Sequence, residues 1–98
     1  MSATAQALTI ELIVWHHRRR TRRQPYSAAA YLTNPSKPEH HQVIEAGSCT
    51  DGSTEGEAAR DALRNLQERR ERLVGAHDPE LVQALNDPVG AISERRFV

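Results

Sequence analysis

Residues 47–75, GSCTDGSTEGEAARDALRNLQERRERLVG, decide the fold. Thr54 and Glu57 form a capping box: the threonine side chain takes an amide three residues on, where a glutamate follows. Ala58, Ala59, Ala62, Leu63, Leu66, Leu73 and Val74 then recur mostly at spacings of three and four, the apolar stripe of an amphipathic helix. Gly75 is the stop, because helices commonly end on a residue with left-handed backbone. The remaining face, with Arg60, Arg64, Glu68, Arg69, Arg70, Glu71 and Arg72, is solvated charge. A striped helix must bury its stripe against another layer, and the residues before it supply a sheet.

Working outward towards the N-terminus, Leu8, Ile10, Leu12 and Val14 alternate with Thr9, Glu11, Ile13 and Trp15. This predicts a strand over 8–17, whose second face Ile13 and Trp15 make partly apolar, so that something covers that end. HHRRRTRRQP (16–25) is a hairpin loop closed by Pro25. YSAAAYLT (26–33) is a second strand on the strength of its flanks, since alanine is a weak strand former. NPSKPEHH is a loop, and a third strand is expected over Gln42–Cys49. Beyond the helix, Asp78-Pro79 and Asp87-Pro88 each place an N-cap acceptor before a proline at the first helical position. Leu81, Val82 and Leu85 support a short helix at 79–86, while AISERRFV (91–98) is open between a helix and an edge strand. The expectation is an α+β fold: an antiparallel three- or four-stranded sheet in βββα order, one long helix packed on one face, and a short C-terminal helical or mixed tail. Residues 1–98 make one domain, with 1–75 as the βββα core and 76–98 as the tail.

The 98 residues are 38% hydrophobic, but 13 of them are alanine, enough for a thin core of two layers. So thin a core predicts completion by self-association or by docking on a partner. Thirteen basic and thirteen acidic residues cancel, which excludes a uniformly basic or uniformly acidic surface. The cancellation is between neighbours: 1–24 carry +4, 25–57 carry −4, 58–75 carry +2 and 76–98 carry −2. Cys49, the single cysteine, excludes an internal disulfide or a cysteine-based zinc cage and reads as a small buried hydrophobe. The N-terminus lacks a basic leader region, and no apolar run approaches the ~18 residues of a membrane span. The expected setting is the cytoplasm, away from membranes.

Arg18, Arg19, Arg20, Arg22 and Arg23 in the hairpin are the candidate binding residues, with Trp15 and Tyr26 as rings for stacking. They suit nucleic-acid phosphates or a partner's acidic patch, or they serve only to solvate the loop. His16–His17 and His40–His41 invite a metal, but the meander puts the pairs at opposite ends, and neighbours in a strand point to opposite faces. Glu11, Glu45 and Asp51 fall on ordinary surface positions. No catalytic residue, metal or cofactor is therefore expected.

Residues 46–67 resemble the core motif of HicB-like antitoxin domains, which has a Gly-Cys strand end, a Gly-x-Thr turn and a helix opening with Glu-Ala. Here these are Gly47 and Cys49, Gly52 and Thr54, and Glu57-Ala58, with Ala62 and Leu63 continuing the stripe. The chain departs from the pattern at Ala46, where proline is usual, and at Ser48 between Gly47 and Cys49. The TNPSKPEHHQ loop and the arginine-rich hairpin depart from it too. The resemblance implies a non-enzymatic binding or regulatory module acting by protein–protein interaction, with a toxin ribonuclease as the usual partner. It also implies a fourth strand, which AISERRFV would supply. Full antitoxins often append a DNA reader, whereas the residues after Val74 hold two prolines and no basic recognition helix. An RNA- or phosphate-binding domain using the hairpin is the alternative, and a small enzyme of unknown reaction is the second.

Overall fold

The capping box starts the long helix where the pattern places it. The computed structural model describes residues 8–18, 23–38, 42–75 and 78–98. In it α1 runs Glu55–Val74, and Thr54 Oγ1 accepts from the Glu57 amide at 3.1 Å. The Glu57 carboxylate accepts from Ser53 Oγ and not from the Thr54 amide, so the threonine half of the capping box is the half that forms. At the far end Gly75 adopts φ 60°, and its N–H donates to the Glu71 carbonyl. That backbone conformation is nearly free for glycine and costly for residues with a Cβ.

Strands β1 (Thr9–His16) and β2 (Tyr26–Thr33) pair antiparallel along their whole length, from Thr9↔Thr33 to His16↔Tyr26. The third strand is broken in two. β3 (Val43–Ala46) and β4 (Thr50–Gly52) both lie against β2, with Gly47–Cys49 bulging between them. The bulge has a hydrogen-bonding cause: the Gly47 amide stays on β2 at the Ala30 carbonyl, but the Ser48 amide turns to Asn65 Oδ1 on α1.

The last strand, β5 (Glu94–Phe97), lies beside β1 and runs parallel to it. The sheet is therefore mixed and five-stranded, in the order β3-β2-β1-β5 with β4 also on β2, which corrects the expectation of a purely antiparallel βββα sheet. The direction follows from the connection. A hairpin returns a chain antiparallel, whereas the helices between β4 and β5 form the long crossover that a parallel neighbour requires. Of AISERRFV, Glu94–Phe97 is thus an edge strand, and α2 and β5 belong to the same core and sheet as the rest.

The short helix α2 spans Pro79–Asn86, but Asp78 does not cap it with its side chain. Its carboxylate is taken by Arg70 on α1, with Nε donating to Oδ2 at 2.8 Å and Nη2 to Oδ1 at 3.4 Å. The hydrogen bond to Asp78 raises the Arg70 pKa, so the pair stays charged on the basic side. Asp87 likewise starts one turn and no helix, its Oδ1 accepting from the Gly90 amide. Both partners of the Arg70–Asp78 pair are largely shielded, at 13% and 8% side-chain exposure. Removing a charge from such a pair costs more than at the surface. Asp78→Asn is expected to lower the unfolding free energy by about 1–3 kcal/mol. Measured by denaturant titration, that loss should persist in high salt; a loss that salt abolishes would place the pair among ordinary surface pairs.

Both helices cover the same face of the sheet. Leu12 and Val14 of β1 and Ala28, Ala30 and Leu32 of β2 meet Ala58, Ala59, Ala62, Leu63 and Leu66 of α1, and Leu81 and Ala84 of α2. This explains the alanine run in β2. Ala28 and Ala30 lie under a helix whose facing residues are also mostly alanine, so the layers close tightly, and tertiary packing overrides a weak strand propensity. Leu73 and Val74, placed on the same stripe by spacing, are instead exposed, at 60% and 58%. The helix outruns the layer beneath it.

Candidate functional site

The sheet register fixes what meets at the hairpin end. The His17 amide donates to the Pro25 carbonyl and closes the hairpin, while the Arg18 amide donates to the Val98 carbonyl and ties it to the residue after β5. On the helix-bearing face, Tyr26, His16 and Phe97 fall in one cross-strand row over β2, β1 and β5. The His16 and Tyr26 rings stack with centroids 4.6 Å apart and planes 12° from parallel, and Phe97 tilts against His16 at 5.7 Å. The Arg18 guanidinium sits 4.7 Å over the Phe97 ring. On the opposite face, Trp15 lies between Ser27 and Arg96, with the Arg96 guanidinium 5.8 Å from the indole centre.

The candidates named from sequence are therefore divided. Trp15 and Tyr26 lie on opposite faces of the sheet, so they cannot clamp one ligand between them. Arg18 joins the Tyr26 row through Phe97, and Arg23 is exposed at the loop. Arg19, Arg20 and Arg22 lie outside the described residues, as do His40 and His41. Phe97 and His16 complete the row on the helix-bearing face and Arg96 joins Trp15 on the other, and none of the three was singled out as a ring or cation of the site. A parallel strand reading of AISERRFV beside β1 would have found Phe97 and Arg96, because it sets them against His16 and Trp15.

Hydrogen bonds and ion pairs engage several neighbouring polar groups at this end. Ser27 Oγ donates to Asp51 Oδ1 at 2.7 Å, which uses the hydroxyl proton and leaves the oxygen to accept from His17 Nε2 at 2.8 Å. His16 and His17 thus serve opposite faces, one stacked and one hydrogen-bonded. Arg95 holds Glu55 at 2.8 Å, a hydrogen bond that raises the arginine pKa, and Arg96 holds Glu94 at 2.7 Å. Glu45 is taken by Arg69 on the helix side, whereas Glu11 falls on the helix-free face. Cys49 is exposed, contrary to its reading as a buried hydrophobe, because it lies in the bulge between β3 and β4.

The helix-free face has a composition of its own. Tyr31 stands beside Glu11, Ala29 beside Ile13, and Ile13 beside Glu94, so Ile13, Trp15, Ala29 and Tyr31 form a connected apolar strip with charged neighbours. Both helices lie across the sheet from it; Ile13, Trp15 and Tyr31 are half-buried there, and Ala29 between them is 5% exposed. A separate open groove of about 370 Å³ runs between α2 and β1, lined by Ile10, Ala84 and Ala91 with Glu80 and Asp87. Among the described residues no group of three or more metal-ligating side chains converges, and no helix is long and apolar enough to cross a membrane. No protein-family model, curated protein sequence or solved structure matches the chain.

Proposed function

We propose that this chain is a small non-enzymatic binding module that acts in the cytoplasm by protein–protein interaction, in the manner of a HicB-like antitoxin domain. A toxin ribonuclease is the class of partner. The observation that supports this reading is the apolar strip Ile13, Trp15, Ala29 and Tyr31 on the helix-free face, rimmed by Glu11, Glu94 and Arg96. An apolar centre inside a polar rim is the anatomy of a protein interface. An antiparallel pair whose second face meets only water more often alternates cleanly to polar residues there. A second copy of the chain is the other occupant of this face, in keeping with the expected homo-oligomer.

The test is Ile13→Glu, which puts a charge at the centre of the strip and leaves the helix-side core untouched. Affinity capture from the native host after nuclease treatment should recover one protein partner with the wild type, at high as well as low salt. The variant should lose that partner while keeping its thermal midpoint. Retention of the partner by the variant, or loss of it on nuclease treatment of the wild type, counts against this surface. Sedimentation of the purified pair of proteins measures the oligomer: Ile13→Glu should shift it towards monomer.

A further inference from the structure

We propose that the hairpin end is a binding site for single-stranded nucleic acid, with Phe97 and the Arg18 guanidinium as its stacking surface and Arg18 and Arg23 as its phosphate contacts. The site is distinct from the protein-binding strip on the helix-free face.

The hairpin carries an excess of positive charge. No Asp or Glu occurs between Glu11 and Glu39, and the five arginines of the hairpin fall in that interval. The carboxylates that the fold brings to this end are already engaged: Glu55 with Arg95, Glu94 with Arg96, and Asp51 with the Ser27 hydroxyl. Arg95 and Arg96 thereby neutralise Glu55 and Glu94, while Asp51 keeps its charge on the helix-free face, across the sheet from the Phe97 row. Arg18 and Arg23 have no carboxylate partner among the described residues. A local excess of unpaired guanidinium is what a phosphate chain neutralises, releasing counterions as it binds.

Beside that charge lies an exposed aromatic ring. Phe97 keeps 60% of its surface exposed even with Arg18 over it, an unusual position for a large aromatic side chain in a protein with four of them per hundred residues. It is not stranded on a loop, for β5 pairs with β1 through this residue, and the His16–Tyr26 stack supports its edge. A fixed ring beside a guanidinium plane is the surface on which unpaired bases stack, and stacking is tolerant of sequence because every base has a π-face. Duplex bases are already stacked on each other, so the rings favour a single strand. An acidic protein segment would satisfy the arginines but does not present a large π-face at every residue to stack on Phe97.

The test uses fluorescence anisotropy with the purified full chain and labelled oligouridine and oligothymidine of about 12 nucleotides, a length within the usual range of single-strand sites. At low salt the wild type should bind both, with the logarithm of the affinity falling linearly against the logarithm of salt. Arg18→Ala should flatten that slope by about 0.7, the share of one phosphate contact. Phe97→Leu, an exposed position that tolerates change, should weaken binding about tenfold at unchanged slope. Ile13→Glu should bind as the wild type does, which separates this site from the protein-binding strip. Absence of binding at low salt overturns the proposal, as does an unchanged affinity in Phe97→Leu. Displacement of the oligonucleotide by polyglutamate at matched charge also overturns it, in favour of an acidic protein partner.

Discussion

Leu63→Ala is expected to lower the unfolding free energy by about 2–5 kcal/mol, the range for deleting a fully buried leucine side chain. Leu63 has no exposed surface and sits in a core whose other contributions from α1 are Leu66 and three alanines, so few large side chains share the work. The alanines around it cannot swing into the vacated space, which keeps the cavity open and the cost towards the upper part of that range. At about 4–8 °C per kcal/mol for a domain of this size, the thermal midpoint falls by about 10 °C or more. The control is Leu73→Ala, on the same stripe by spacing but 60% exposed, with an expected change within about 0.5 kcal/mol. Denaturant titration of the two variants compares them directly. Equal losses would mean that α1 rests on the sheet along its whole length.

Gly52→Ala should be at least as damaging as an ordinary overpacking change, at about 2–3 kcal/mol or more. A Cβ at Gly52 would stand 2.5 Å from the Ala58 nitrogen and 2.9 Å from its Cα. Both are backbone atoms of the first turns of α1, so relief requires moving the helix and not a side-chain tip. The turns that would move are tied to β4 by Thr50 Oγ1, which donates to the Ala58 carbonyl at 2.9 Å. Gly47→Ala should cost less, because its Cβ would meet Leu66 N at 3.1 Å and Asn65 Oδ1 at 3.2 Å, contacts that a few tenths of an ångström relieve. Thermal melts that rank Gly52→Ala no worse than Gly47→Ala would contradict this close approach. The two glycines thus read as packing residues: they let α1 settle onto the strand edge, in concert with the alanines of β2.

Much of the fold was legible because its determinants are local. The cap at Thr54, the stop at Gly75 and the strand at Thr9–His16 all follow from residues within a few positions of one another. Legibility failed where a distant group competed for a local one. Asp78 has the chemistry of an N-cap, but Arg70 offered it a charged, bidentate partner. The third strand has the pattern of one strand, but Asn65 drew away the Ser48 amide and broke it. Leu73 and Val74 continue the helical stripe, but nothing in a periodicity says where the sheet beneath stops.

The candidate site divides along the same line. The run of arginines, the rings at Trp15 and Tyr26 and the acid-free interval around them are properties of the chain itself, as are the limits of α1 and the β1–β2 hairpin. The pairing of β5 with β1 is not, since it joins residues some eighty positions apart, as in the Ser93 amide to the Leu12 carbonyl. Helix caps and hairpins close over a few residues and are encoded by the residues that form them. A parallel edge strand needs the two helices to carry the chain back across the sheet, so its position is set by the core they share. That pairing puts Phe97 beside His16 and under Arg18, and turns a basic loop into a surface with rings.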